Sequence, residues 1–329
     1  MTELVRVGIA GTGSCLPERV MTNDDFAKIV DTDDEWIRQR TGIRERRFVS
    51  EGENTSDLSL AAAKQALDAA GVKPEELDLV VLGTLTPDYL MPSAATLVQD
   101  RLGATRAGAF DVASACTGFL TALHTAEAFV ASGRAKKVLA IGAETLSRYL
   151  DMTDRASCIL FGDGAGAAVV TPWTECERGE IIETTLGADG SGYEFIHIPV
   201  GGAAIPHNDP AYVKDDHFIT LRGRDVYRFA VSKMAEMIET VTRNVDPDEV
   251  AWVVPHQVNK RIIDAALSRL GWSIERCVVN IDRFGNTSAA SVPIALDEAV
   301  RDGRIQKGQL VVLVAFGAGL TWGGTLLRW

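Results

Sequence analysis

Apolar runs and amphipathic stretches take turns along most of this 329-residue chain. Residues 5–10 read as a buried strand, Asn23-Asp24-Asp25 as a helix cap, and residues 31–39 as a helix holding Trp36. Thr55-Ser56-Asp57 opens a helix that runs to Ala70 and stops at Gly71. A strand over residues 79–83 is followed by a helix over residues 93–102, which Gly103 ends. Residues 109–112 then run through small side chains into a helix with apolar positions Leu120, Leu123, Ala126 and Val130, ending at Ser132-Gly133. Further strands are expected at 137–142, 167–170, 181–186, 250–254, 278–281, 310–315 and 323–328, with helices at 225–241, 257–270 and 288–300. Residues 187–217 break the rhythm with Gly, Pro, Asp and His, and a loop of that length is usually functional or mobile.

Strands alternating with helices predict a layered α/β fold. The alternation also repeats. Residues 79–103 run strand, loop, helix and end Asp100-Arg101-Leu102-Gly103; residues 252–271 do the same and end Ser268-Arg269-Leu270-Gly271. Residues 109–142 and 278–315 correspond likewise, with Gly133-Arg134 and Gly303-Arg304 in matching places. Gly133 and Gly303 lie 170 positions apart, as do Cys116 and Asn286. This spacing predicts two half-chains, 1–175 and 176–329, with Cys116 and Asn286 at equivalent helix starts facing each other across a pseudo-twofold axis.

Composition narrows the function. The chain is 46% hydrophobic and carries a net charge of −12, with no basic stripe, which argues against nucleic acid as a partner. Phosphate-bearing ligands need only a local Arg cluster, and Arg40, Arg44, Arg46 and Arg47 supply one. The five cysteines are scattered, without C-x-x-C spacing, so neither a disulfide framework nor a metal site is expected. The first residues lack a basic n-region, and no apolar stretch reaches membrane-spanning length. A cytoplasmic protein without membrane insertion is the expectation.

Most single cysteines are inert core residues, but the setting of Cys116 differs. In Ser114-Ala115-Cys116-Thr117-Gly118-Phe119, small residues leave the sulfur approachable, and a helix start favours thiolate. His256 follows the strand Val253-Val254-Pro255, where α/β sheets place their sites. Asn286 reads equally as a helix cap or as a polar group opposite Cys116. The runs Gly11-Thr12-Gly13 and Gly162-Asp163-Gly164-Ala165-Gly166 lack the strand-to-helix context of a dinucleotide fingerprint and read as turns and close backbone packing.

Cys, His and Asn in this order on a duplicated α/β chain resemble the thiolase-type condensing enzymes, most closely the β-ketoacyl-acyl-carrier-protein synthase III family. The likeness rests on the Cys116 motif, Pro255-His256-Gln257-Val258-Asn259, Asp282-Arg283-Phe284-Gly285-Asn286-Thr287-Ser288-Ala289-Ala290-Ser291, residues 315–323, and Asp34-Glu35-Trp36-Ile37 with Arg40-Thr41-Gly42-Ile43. It covers essentially the whole chain. The resemblance implies a thiolase-like αβαβα body and a decarboxylative condensation of an acyl-CoA, acetyl-CoA first, with malonyl-acyl-carrier protein. It further implies Cys116 as nucleophile, His256 and Asn286 as hydrogen-bond donors, and Cys116 and Ala318 N–H as the oxyanion hole. Trp36, Arg40, Arg155 and Asn259 would hold CoA, which is a substrate; no cofactor is implied. Gln257, Val258, Asn259, Lys260 and Arg261 would meet the carrier protein, with Arg228 extending that patch. The family is homodimeric, and Met91 stands at the position that reaches the partner subunit's acyl pocket. Ala318 replaces a usual glycine and Met91 a frequent phenylalanine, which leaves the acyl preference open. Rival readings are a related condensing enzyme with another donor or a free CoA acceptor, a papain-like cysteine hydrolase, a dinucleotide-dependent oxidoreductase, and a binding protein without chemistry.

Overall fold

The computed structural model describes residues 4–329. Nine strands form one mixed sheet: β1 (Val7–Cys15), β2 (Leu79–Gly83), β3 (Gly108–Val112), β4 (Val138–Glu144), β5 (Gly164–Pro172), β6 (Glu180–Ala188), β7 (Val250–Pro255), β8 (Leu310–Gly317) and β9 (Thr321–Arg328). Their spatial order is β7-β8-β9-β6-β1-β5-β4-β2-β3. The group β1–β5 meets the group β6–β9 along β1 and β6, through the single pair Gly8 and Glu180. The helices that build the layers are α1 (Asp34–Thr41), α2 (Thr55–Ala70), α3 (Ala94–Leu102), α4 (Gly118–Ala131), α5 (Gly223–Thr242), α6 (Lys260–Leu270) and α7 (Ser291–Arg301).

The continuous apolar runs explain the layering, because alternate residues of one strand face different helices. In β2, Val80 and Leu82 pack outward against Leu58, Ala62 and Val98 of α2 and α3. Val81 packs inward with Leu120 and Leu123 of α4 and Val292 and Leu296 of α7. In β8, Val311 and Leu313 join that same inner core, while Val312 and Val314 face Met234, Ile238 and Ile263 of α5 and α6. The result is a five-layered αβαβα body whose central core draws on both half-chains.

At the centre the backbones touch. A Cβ on Gly83 would lie 2.3 Å from the Gly118 carbonyl, and one on Gly142 would lie 2.3 Å from the Ala289 carbonyl oxygen. Only glycine fits at these crossings. The glycine run at 162–166 serves the same purpose: β5 starts at Gly164, and Gly166 lies against Pro293 (2.7 Å to a Cβ built there).

Three expectations change. Residues 278–281 form no strand; one bridge joins Val253 to Cys277, and Ile281–Phe284 is a short helix. The cause is the buried Gln257 amide, which donates to Val278 O (2.9 Å) and accepts from Asn280 N (3.0 Å) and Ile281 N (3.2 Å), replacing a strand ladder. The helix predicted from residue 257 begins at Lys260, capped by Asn259 Oδ1, which accepts from Arg261 N. The repeat also needs a new register. Ala115 (φ 46°) and Ser288 (φ 48°) open the two equivalent turns, Ala115–Thr117 and Ser288–Ala290, and stand 173 positions apart. The helix ends keep the 170-residue spacing because α7, at 11 residues, is three shorter than α4 at 14. Cys116 is therefore matched by Ala289, and Asn286 lies just before the second turn.

Replacing Gly142 with valine is expected to cost about 1–3 kcal/mol or more, the usual penalty of overpacking. Chemical denaturation checks this against Gly202→Ala, a position with open space around it and no left-handed backbone.

Candidate active site

Cys116 sits in the tight Ala115–Thr117 turn, just ahead of α4. Thr117 Oγ1 donates to Ser114 O (2.5 Å) and lies 2.8 Å from Thr321 Oγ1, tying this turn to the start of β9. Gly317, the last residue of β8, approaches so closely that a Cβ there would stand 2.8 Å from Cys116 N. Ala318 follows with ordinary backbone angles; the unusual φ, 136°, falls on Gly319. An alanine is thus accommodated where the resemblance suggested glycine.

The structure brings the three sequence-predicted polar residues to one tunnel of about 170 Å³, lined by Cys116, His256, Asn286, Phe229, Ile262 and Phe316. His256 leaves the end of β7 and donates its backbone N–H to Val314 O (2.7 Å). Its Nδ1 is 2.7 Å from Ser291 Oγ, its ring meets the edge of Phe316, and its Nε2 is buried without a protein partner. Burial pushes the imidazole down to about 3, so it is neutral at ordinary pH. Asn286 is fixed at both ends of its backbone, donating to Leu160 O and accepting from Gly162 N, each at 2.9 Å. Its Oδ1 accepts from Ser288 N (2.9 Å). The capping bond and the functional reading therefore coexist: Oδ1 is occupied, and the NH₂ remains as donor. Beneath this loop lies the fully buried Arg46, which donates to Asn23 Oδ1 (2.8 Å), Met21 O (3.2 Å) and Ile159 O.

The sulfur itself differs from the expectation. Burial pushes its thiol up to about 12, and the nearby Glu144 charge adds to this, against the lowering effect of the Ser288 hydroxyl. Ser288 Oγ stands 3.4 Å from it. A second cavity of about 280 Å³ opens on the other side of Cys116, between Leu146, Phe161, Ile196, Ile198, Ile219 and Ala318. Its wall comes from the irregular segment after β6, where Ile196–His197 pairs with Thr220–Leu221. The alternation Ile196, Ile198, Val200 inside a polar loop was the sequence signal for it. Glu144, Ser288 and Ser291 were given no role by the sequence; a charge ending the apolar run of residues 138–143 was the available sign.

Around the tunnel mouth, Arg40, Arg224, Tyr227, Arg228 and Arg261 line one open cleft. Asn259 Nδ2 donates to Arg40 O (3.1 Å), joining α6 to the end of α1. Trp36 lies on α1 with the guanidinium carbons of Arg40 and Arg155 at 4.6 and 4.8 Å from its ring. Gln257 does not belong to this surface, because its side chain is buried and its amide is committed to backbone groups. Val258 lines the tunnel, Lys260 is exposed and pairs with Asp264, and Arg261 faces the cleft. Met91 lines neither cavity; it is 85% exposed beside Leu90 and Tyr89.

Two family profiles match: 3-oxoacyl-[acyl-carrier-protein] synthase III over residues 110–190, and its C-terminal part over residues 241–329. The chain is 52% identical over 331 residues to a β-ketoacyl-[acyl-carrier-protein] synthase III of Xylella fastidiosa, covering all of both chains. It is 48% identical to that of Caldanaerobacter subterraneus, covering 100% of this chain and 99% of the other. Among solved structures, the 3-oxoacyl-[acyl-carrier-protein] synthase III of Aquifex aeolicus superposes with a TM-score of 0.90 at 46% identity, over 98% of this chain and 100% of that one. The priming β-ketosynthase of the R1128 polyketide pathway gives 0.90 at 36% identity, over 99% and 97%.

The depressed imidazole has a measurable sign. The unfolded chain's histidine titrates near about 6.5. Below that value it binds a proton that the folded site refuses, so stability falls as the pH drops and is unaffected above it. The His256 ring resonances are expected to stay those of neutral imidazole from about pH 8 to about pH 5, checked by NMR against His256→Gln for assignment.

Proposed function

The chain belongs to the β-ketoacyl-[acyl-carrier-protein] synthase III family of condensing enzymes, and on that basis we propose how its site begins fatty-acid synthesis. Cys116 attacks the thioester carbonyl of an acyl-CoA, CoA departs, and an acyl-Cys116 intermediate remains. Malonyl-acyl-carrier protein then loses CO₂, and the resulting carbanion attacks the acyl group to give 3-ketoacyl-acyl-carrier protein. The observation that carries this reading is the meeting of Cys116, a neutral His256 and an amide-donating Asn286 at the end of one apolar tunnel.

Decarboxylation leaves an electron pair that the thioester carbonyl must accept as an enolate. Neutral donors suit this role because they stabilise the developing charge without first neutralising the carboxylate that leaves. The Asn286 NH₂ is oriented by its own Oδ1 bond. His256 donates from Nε2 when Nδ1 accepts from Ser291 O–H. That hydroxyl can turn to the ring because the Ser288 carbonyl, its other acceptor at 2.8 Å, keeps the Ser291 backbone N–H. The Cys116 and Ala318 N–H groups would hold the oxyanion of the acyl-transfer step.

The apolar tunnel suits a pantetheine arm, and the arginine-lined mouth suits phosphates and an acidic carrier. Trp36 and Arg155 offer an aromatic face and a cation to the adenine of CoA. Lys260, Arg261 and Arg228 would meet the carrier protein, with Gln257 supporting them from below. A homodimer is supported by the exposed edge strand β3 with Phe110, and by the exposed run Leu85, Tyr89, Leu90 and Met91. Met91 would then border the acyl cavity of the partner subunit. The 280 Å³ cavity favours a second reading on the donor alone, in which chains longer than acetyl are accepted.

Incubation with acyl-CoAs one at a time should add the mass of one acyl group to Cys116, and the preferred chain length identifies the donor; no adduct on wild type overturns the reading. In Asn286→Asp, condensation should fall by roughly 10²–10³ while acylation by the donor changes far less, measured by product formation and by intact mass.

A further inference from the structure

Glu144 is a fully buried carboxylate for which the mechanism above has no use. It ends β4, and neutral groups satisfy it: Thr86 Oγ1 donates at 2.7 Å, Leu85 N and Ser288 Oγ at 3.2 Å, and Thr84 Oγ1 at 3.4 Å. The titratable groups whose charge it feels or affects are Cys116 and Tyr149. Burying a carboxylate without a cation is costly, which calls for a reason.

Ser288 supplies one. Its Oγ stands 3.4 Å from Cys116 Sγ and 3.2 Å from Glu144 Oε1, and it is the only side-chain hydrogen-bond partner of the sulfur among the described residues. The hydroxyl has one proton and free lone pairs, so by donating to Glu144 it can accept from the thiol. Its backbone is held at φ 48°, a conformation that non-glycine residues adopt rarely and mostly where the surroundings enforce it. His256 Nε2, the other candidate base, makes no hydrogen bond to the sulfur.

We propose that Ser288 and Glu144 form a proton relay that deprotonates Cys116 during acylation. As the sulfur bonds to the thioester carbon, the thiol proton passes to Ser288 Oγ and the serine's own proton passes to Glu144. When the carbon–sulfur bond to CoA breaks, the electron pair leaves with the CoA sulfur. The relay then runs backwards: Glu144 returns its proton to Ser288, and Ser288 gives one to the CoA thiolate. No free thiolate persists in the apolar pocket, and carboxylate and thiolate never carry charge together. Burial raises the Glu144 carboxyl to about 7, so near neutral pH it is available as a base yet able to hold a proton.

This inference rests on the function proposed above, but its test does not need turnover. Iodoacetamide alkylation of Cys116 is followed against pH in wild type, Glu144→Gln, Glu144→Asp and Ser288→Gly, the last compatible with the positive φ. With the relay, Glu144→Gln and Ser288→Gly both move the inflection to higher pH and slow acylation by roughly a hundredfold at neutral pH, and Glu144→Asp recovers part of the loss. If Glu144 acts only through its charge, removing it eases thiol ionisation and moves the inflection to lower pH. That shift, or an unchanged profile, overturns the relay. Thermal melts check folding; should Glu144→Gln not fold, Glu144→Asp decides, because it keeps the charge and only lengthens the relay: an inflection no higher than wild type overturns the proposal. A wild type that no acyl-CoA acylates, yet whose alkylation inflection moves to higher pH in both Glu144→Gln and Ser288→Gly, would sink the proposed function and leave the relay standing.

Discussion

The site depends on two backbone turns held against the strands beneath them with no side chain at the crossings. Gly83 lets β2 seat the start of α4 at Gly118, Gly142 lets β4 seat the Ser288–Ala290 turn at Ala289, and Gly118 leaves room for the Ala289 methyl, so the two turns come together at the centre of the body. Each turn opens on a left-handed residue that is not glycine, and each leads into a helix of the inner layer. Any side chain at these crossings would push Cys116 away from the loop that carries Asn286 and Ser288. Packing and chemistry are the same constraint here, because the distances that matter to a reacting sulfur are fixed by atoms that cannot move apart without opening the core.

Charge is arranged by depth. At the mouth stand Arg40, Arg224, Arg228 and Arg261, in a chain whose overall balance is acidic. Along the tunnel the lining is apolar, and at its end the imidazole is neutral and the amide uncharged. Cations therefore stand where water screens them, while the dry end offers dipoles whose hydrogen bonds are stronger for the low dielectric. Glu144 is the exception, a carboxyl group at depth placed one hydroxyl away from the sulfur.

Much of this was legible in the sequence, for identifiable reasons. Strands such as Leu79–Gly83 and helices such as Thr55–Ala70 were read to the residue or nearly so, because apolar period and glycine caps agree there. Cys116 and His256 stood out as candidates because each follows a strand-like run at a break in period, whereas Asn286 stood out through a 170-residue spacing that the two turns do not keep. What escaped was long-range. No local pattern shows that the Gln257 amide captures the backbone of residues 278–281, so an apolar run was taken for a strand. The three-residue shortening of α7 shifted the repeat without changing where the helices end, which is why a constant spacing paired Cys116 with the wrong partner. Glu144 looked like the polar end of a strand, since burial belongs to the folded body rather than to its neighbours in sequence.

The segment after β6 walls the cavity beside Cys116 with Ile196, Ile198 and Ile219, yet none of the three hydrogen-bonding groups at the sulfur's end of the tunnel belongs to it. The layers hold Cys116, His256 and Asn286, while one wall of the cavity is a strap laid across them. Substitutions in the strap can therefore change which molecules fit while the reacting atoms keep their positions.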